Sequence, residues 1–395
     1  MPGSTPARPG PALADRFATG LSAPICLTWE LTYACNLSCL HCLSASGRRD
    51  PRELSTHECR RVIDELRDLQ VFYVNIGGGE PTVRPDFWEL LRYSVDNRVG
   101  VKFSTNGVKI DAARARELTA MDYVDIQISI DGATAEVNDA LRGAGSYAMA
   151  VDAMRRLADA GFGGFKISVV MTRQNAGQLE EFKAIADRYG AQLRITRLRP
   201  SGRAADRWHE LRPTAEQQRE LYQWLLAHGE QVLTGDSFFH LSGYGEALPG
   251  LNLCGAGRVV CLIDPIGDVY ACPFTIHDAF LAGNVRADGG FPRVWRDAPL
   301  FRRLREPTGG GACASCSAYD ACRGGCMAAK FFTGLPLDGP DPECVRGHGE
   351  PALAAVSPGA VPRPSSDHSH RAGPVSVTLA RRPPRDCETS PLTLG

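Results

Sequence analysis

From residue 25 onward the apolar positions fall into short continuous runs, and each run is followed by a stretch with a helical repeat. Residues 25–31 read as a strand, being brief and mostly apolar. A cysteine loop follows, and then Ser55-Thr56-His57-Glu58, whose form is that of a capping box opening a helix. The alternation then repeats: strands are predicted at 71–76, 100–104, 124–130, 165–171 and 193–198, with helices at 86–96, 112–121, 147–160 and 178–189.

Six strand–helix units in succession imply an α/β fold with a parallel sheet and right-handed crossovers. They are too few to close an eight-fold barrel of about 250 residues, so residues 24–200 suit a partial (β/α)6 barrel. Such folds gather their chemistry at the C-terminal ends of the strands. Gly77-Gly78-Gly79-Glu80-Pro81, Thr105-Asn106-Gly107 and Asp131-Gly132 all fall there.

Residues 201–253 read as a connecting region with an amphipathic helix at 214–228, whose Leu221, Trp224 and Leu225 share a packing face. From Cys254 to Gly349 glycine and cysteine replace the long apolar runs, as expected of a small domain folded around metal. Residues 1–23 and 350–395 lack periodicity and are rich in Pro and Ala, which predicts disorder.

Composition narrows the options. At 395 residues and 43% hydrophobic content the chain can bury a large core, and a net charge of -1 gives no reason to expect a nucleic-acid or membrane-surface partner. No run approaches the roughly 20 apolar residues of a membrane span. The first twenty residues lack the apolar centre of a signal peptide, so a cytoplasmic protein is expected. Fourteen cysteines in a chain of this length and compartment point to metal or cluster ligation rather than disulfides.

Three of them, Cys35, Cys39 and Cys42, stand at C-x3-C-x2-C just beyond the first strand. Thiolates so spaced can close over one face of an iron–sulfur cubane and leave its fourth iron free for chemistry. A zinc knuckle completed by His41 is the structural alternative. The segment closely resembles the radical S-adenosylmethionine enzymes. That resemblance implies a 4Fe-4S cluster on these three cysteines, whose open iron is chelated by S-adenosyl-L-methionine and which drives hydrogen abstraction from an unreactive carbon.

Glycines at 77–79 let backbone approach a ligand closely. By the same resemblance, Gly78, Gly79 and Glu80 form the loop that contacts the cofactor's amino group. Ser104 and Asn106, and likewise Ser129 and Asp131, are two apart at strand ends, so each pair can share a face directed into the barrel mouth. Their hydroxyl, amide and carboxylate groups suit the cofactor's polar groups, although Asn-Gly and Asp-Gly are also plain turn signals. Arg142 resembles a position that neutralises the cofactor carboxylate.

Cys313, Cys316, Cys322, Cys326 and Cys344 are spaced C-x2-C-x5-C-x3-C-x17-C, with Cys254, Cys261 and Cys272 upstream. The pattern resembles the SPASM domain, and a zinc ribbon over 313–326 is the alternative. The resemblance implies two auxiliary 4Fe-4S clusters, one on Cys254, Cys261, Cys272 and Cys326 and the other on Cys313, Cys316, Cys322 and Cys344. With the catalytic cluster this makes three. Cys26 and Cys59 read as small buried hydrophobes, and Cys387 as incidental.

Radical S-adenosylmethionine and SPASM segments together resemble the peptide maturases. Trp29-Glu30-Leu31-Thr32-Tyr33-Ala34-Cys35, Asn75-Ile76-Gly77-Gly78-Gly79-Glu80-Pro81 and Lys102-Phe103-Ser104-Thr105-Asn106-Gly107 are similar to the mycofactocin branch of that family. This implies oxidative decarboxylation of the C-terminal Tyr of a small precursor peptide ending in Val-Tyr, followed by a carbon–carbon bond to the adjacent Val. It also implies an electron donor. So few residues precede the first strand that a fused recognition module has no room, and a separate peptide-recognition protein is expected. The alternatives are another SPASM maturase, forming thioethers or oxidising Cys or Ser, and an iron–sulfur electron carrier without catalysis. Arg197 and Arg199, at the sixth strand's end, are candidates to meet a peptide carboxylate or to face solvent.

Overall fold

The computed structural model describes residues 17, 20–71, 73–235, 238–250, 252–306, 313, 315–357 and 359–362. Most of the two termini expected to be disordered, and Cys387 with them, lie outside the described residues. Six strands, β1 (Cys26–Thr32), β2 (Tyr73–Gly78), β3 (Gly100–Thr105), β4 (Val124–Ser129), β5 (Lys166–Met171) and β6 (Gln192–Arg197), lie side by side in chain order and all parallel. The order never reverses between β1 and β6. That is the arrangement of a barrel segment rather than of a doubly wound sheet with a switch point.

The strands' two faces differ. Val101, Phe103, Ile126, Ile128, Ile167, Val169, Leu193 and Ile195 are buried in the hydrophobic core on one face. The intervening positions carry Lys102, Ser104, Gln127, Ser129, Ser168, Arg194 and Thr196, all of which line a cavity. A two-residue repeat thus separates a helix-covered apolar side from a polar interior.

The helices form where their local signals predict. Ser55 and Glu58 complete the capping box of the helix Thr56–Asp68, which buries Cys59, Val62, Ile63 and Leu66. Between β1 and β6 one helix was not anticipated: Ala135–Arg142 opens at Thr134, whose side chain accepts from the Val137 N–H. It delivers Arg142 to the cavity rim. In the connecting region, Thr214 caps the helix Ala215–His228, which buries Leu221 and Leu225, while Trp224 stacks on His228.

The cysteine-rich segment is tied into the barrel. β7 (Val232–Leu233) extends the sheet beyond β6. At the other end β8 (Val260–Ile263) runs parallel to β1, placing Cys261 beside Leu27, and β9 (Asp268–Tyr270) and β10 (Leu281–Asn284) follow antiparallel. One ten-stranded sheet therefore joins both segments. The expectation of a segment organised by metal alone is incomplete, because Cys261, Leu262 and Ile263 are fully buried strand residues. Among the described residues no helix is long and apolar enough to cross a membrane.

Candidate functional site

A cavity of about 850 Å³ spans the barrel interior and the C-terminal strand ends. Cys35, Cys39 and Cys42 line it, and so do Cys254, Cys272 and Cys326. The first three sit on a loop held at several points. The Cys35 N–H donates to the Gly47 carbonyl at 2.9 Å and the Leu40 N–H to the Leu141 carbonyl at 2.9 Å. Arg203 donates from Nε to the Cys39 carbonyl at 2.8 Å and from its backbone N–H to the Cys42 carbonyl at 3.0 Å. Next to it, a Cβ on Gly202 would lie 2.3 Å from the Cys42 carbonyl oxygen, so only glycine lets this clamp close.

The Gly77–Glu80 loop docks against the same segment. Gly79 donates to the Thr32 carbonyl and Glu80 to the Ala34 carbonyl, each at 2.8 Å. A Cβ on Gly79 would stand 2.0 Å from the Ala34 oxygen, which makes this glycine obligatory. The glycine triplet thereby sets the start of the cysteine loop.

Glu80 is differently employed from the expectation. One carboxylate oxygen accepts from the Thr82 N–H and from the Thr105 hydroxyl at 2.7 Å, and the other accepts from the Asn106 N–H at 2.7 Å. Burial pushes its pKa up against these bonds. Its carboxylate binds β2's end to β3's end, although it still lines the cavity. Asn106 donates from its amide to Asn36 of the cysteine loop at 2.8 Å.

Ser104, Asn106, Ser129 and Arg142 line the cavity as expected, together with Gly78 and Gly79. Asp131 does not. β4 ends at Ser129, so the two-residue alternation is lost before Asp131, which is fully buried beneath the rim. Its carboxylate accepts from His41 Nε2 at 2.9 Å, from Arg142 at 2.5 Å and from the Val170 N–H at 2.7 Å. Burial alone would raise its pKa, but His41 and Arg142 outweigh that and hold it well below the usual carboxylate range. Burial likewise opposes the Arg142 charge, and Cys39 and Asp131 more than offset it. His41, considered above as a zinc ligand, spends Nε2 on Asp131.

The remaining cysteines sort into two groups. Cys313, Cys316, Cys322 and Cys344 line one small cavity with His240, Asp341 and His348. Cys272 lies close enough to Cys254 and Cys326 for their charges to act on it, and Cys261 to Cys272. These are the two sets drawn from the resemblance. Among the described residues no three His, Cys, Asp or Glu side chains converge on a single metal ion; a four-iron cluster is wider than one ion. Burial pushes the Cys35 thiol up to about 12 and raises Cys39 and Cys272. Thiols so placed ionise at a cost unless iron takes the proton's place, so the donor sets fit iron–sulfur clusters.

Arg197 is already occupied. Its guanidinium meets Asp341 at 2.5 Å and Glu343 at 2.6 Å, all three being buried. Arg199 lies over Phe274, 4.0 Å from the ring centroid, and donates to Cys326 Sγ at 3.4 Å. Cys26 faces the cavity and accepts from Asn75 at 3.1 Å, whereas Cys59 is the buried hydrophobe expected.

Comparison with known proteins agrees with this arrangement. The radical SAM superfamily matches residues 29–186 and the SPASM iron–sulfur cluster-binding domain matches residues 254–324. The fold is similar to that of Streptococcus suis SuiB bound to the precursor peptide SuiA, with a TM-score of 0.68 at 19% identity over 83% of this chain and 77% of that one. The protein is a radical S-adenosylmethionine enzyme carrying a SPASM segment. It is 67% identical to mycofactocin maturase MftC of Mycolicibacterium smegmatis over 98% of this chain and all of the relative. It is 71% identical to that of Mycobacterium ulcerans over 91% of this chain and 97% of the relative. The chain belongs to the mycofactocin maturase family.

Proposed function

We propose that this protein matures a precursor peptide ending in Val-Tyr, oxidatively decarboxylating the C-terminal Tyr and then joining it to the adjacent Val. The observation that carries the reading is one cavity lined both by Cys35, Cys39 and Cys42 and by Cys254, Cys272 and Cys326. With S-adenosyl-L-methionine and three 4Fe-4S clusters bound, the site has hydrogen-atom abstraction at one cysteine set and an electron acceptor at the other.

Cys35, Cys39 and Cys42 hold the catalytic cluster in this reading. Ser104, Asn106, Ser129 and Arg142 contact S-adenosyl-L-methionine, and Gly78, Gly79 and Glu80 shape its amino-group site. Asp131 acts through Arg142 and is a positioning residue. Cys254, Cys261, Cys272 and Cys326 hold one auxiliary cluster, and Cys313, Cys316, Cys322 and Cys344 the other. In the first stage a hydrogen atom leaves the tyrosine Cβ, and carbon dioxide and one electron follow, leaving a vinyl-phenol. The electron requires an acceptor beside the substrate, and an auxiliary cluster held by Cys254, Cys261, Cys272 and Cys326 would supply it. A separate recognition protein brings the peptide, an electron donor primes the catalytic cluster, and the reaction belongs in the cytoplasm.

The test is mass spectrometry of an anaerobic reaction containing the reconstituted protein, reductant, S-adenosyl-L-methionine, the peptide and the recognition protein. The expected product has lost carbon dioxide and two hydrogens. Cys35→Ala, Cys39→Ala and Cys42→Ala each abolish it together with 5'-deoxyadenosine. Deoxyadenosine formed without decarboxylation would keep the radical mechanism and discard the Val-Tyr reading.

A further inference from the structure

Among the described residues, two cations of the barrel interior form no ion pair. Lys102 on β3 and Arg194 on β6 both line the cavity. Among the described residues neither forms an ion pair, and Arg194 makes one side-chain hydrogen bond, from its guanidinium to Ser168 Oγ at 3.2 Å. The nearest carboxylate influence on Lys102 is its register neighbour Asp125, which is committed to Lys166 at 2.6 Å. Among the described residues Asp125 therefore acts on both Lys102 and Arg194 while it is paired with Lys166.

Two acceptors nearby are equally unspent. Asn75 uses its amide N–H on Cys26, and Gln127 uses its own on Ser104 at 2.9 Å. The Asn75 Oδ1 and Gln127 Oε1 atoms are buried and, among the described residues, have no hydrogen-bond partner. Asn75 faces Lys102 directly across the β2–β3 pair, and Gln127 faces Ser104, two residues further along β3 on the same side. Withdrawing charge and hydrogen-bonding groups from water without partners is costly. A cavity that keeps both kinds open is organised for a ligand with an anionic oxygen and adjacent N–H or O–H donors.

We propose that Lys102 and Arg194 form an anion site that holds an anionic oxygen of the substrate's C-terminal residue, with Asn75 and Gln127 accepting from its neighbouring donors. The inference rests on the Val-Tyr peptide reading above. The oxygen belongs to the terminal carboxylate or to the tyrosine phenol, the two acidic groups that such a residue carries. Either anchor fixes the tyrosine Cβ relative to the cysteine loop, so these are specificity and positioning residues.

The experiment uses holoprotein with recognition protein and S-adenosyl-L-methionine but no reductant, so that binding is read without turnover. Dissociation constants are measured for full precursors ending in Tyr, in Phe and in tyrosinamide, with wild type, Lys102→Gln and Arg194→Gln. Each variant is expected to weaken the Tyr precursor by on the order of tenfold or more. The loss should vanish for one analogue, which identifies the source: tyrosinamide if the carboxylate is held, Phe if the phenol is. Equal binding of all three precursors by wild type overturns the proposal, and so does an equal loss for all three in the variants. Should a variant lose its clusters, the wild-type series decides alone. In parallel turnover assays, a wild type that leaves the Tyr precursor unmodified refutes the Val-Tyr reading. A wild type that modifies it while the variants bind it normally refutes only the anion site.

Discussion

The rim and the interior of the cavity handle charge in opposite ways. At the rim, Asp131 is saturated by His41, Arg142 and the Val170 N–H, and Glu80 by Thr82, Thr105 and Asn106. Arg197 is closed off by Asp341 and Glu343. In the interior, Lys102 and Arg194 have no carboxylate of their own among the described residues. A saturated network is rigid before anything binds, which suits a rim that orients a cysteine loop and a cofactor. An unsaturated one is incomplete by itself and gains most from a ligand of the opposite charge.

The largest effect should come from breaking the rim. Asp131→Asn leaves Arg142 buried without its anion and removes the strong acceptor of His41. A loss of about 3 kcal/mol in denaturant-unfolding stability is expected, with deoxyadenosine formation falling as well. The pH profile gives a second reading. Because Asp131 is held below its ordinary range, its contribution is present above about pH 4 and is lost as the pH falls toward the native value. The variant's stability should therefore fall less between neutral and acidic pH than that of wild type.

A smaller effect of opposite sign is expected in the interior. Burial, followed by repulsion from Arg194, pulls Lys102 down from 10.5 to about 8. The unfolded chain then binds more protons than the native one between these values, so wild-type stability should rise as the pH climbs through that window. Lys102→Gln should abolish the rise and, at neutral pH without peptide, stabilise the protein by on the order of 1 kcal/mol. A destabilised variant would mean that Lys102 is compensated after all, and would erase the contrast with the rim.

The smallest effect calibrates both, away from the cavity. Arg286 and the Ser55 cap lower Glu58 to about 2. This partly exposed contact stabilises above pH 4.5, the ordinary value, and its contribution is lost as the pH drops toward 2. Glu58→Gln should cost about 1 kcal/mol in thermal or denaturant unfolding at neutral pH and progressively less in acid.

The elements that were legible in the sequence are those with local causes. Ser55 and Glu58 announced a helix start, and the short apolar runs gave all six barrel strands to within one or two residues at most ends. The cysteine spacings marked both cluster regions. What escaped depends on distance or on where a strand stops. Ser129 and Asp131 look equivalent by spacing, yet β4 ends between them and only Ser129 reaches the cavity. The helix Ala135–Arg142 buries Asn138 and Leu141, of which only one is apolar, so no apolar face stands out beside the longer helix that follows. Pairing of β8 with β1 is non-local, and four residues show no usable period. Lys102 and Arg194 received no role of their own from the sequence. The signal that could have found Lys102 is its two-residue offset from Ser104, which the sequence had directed into the barrel mouth.

The pairing of β8 with β1 also bears on how the protein is made. β1 is a central strand, but one of its neighbours is synthesised only after the whole barrel has left the ribosome. Until then the edge of β1 remains unpaired, next to the loop that carries Cys35, Cys39 and Cys42. Such long-range closure is slow and exposes an aggregation-prone edge. The last strands to form then seal the sheet beside that loop.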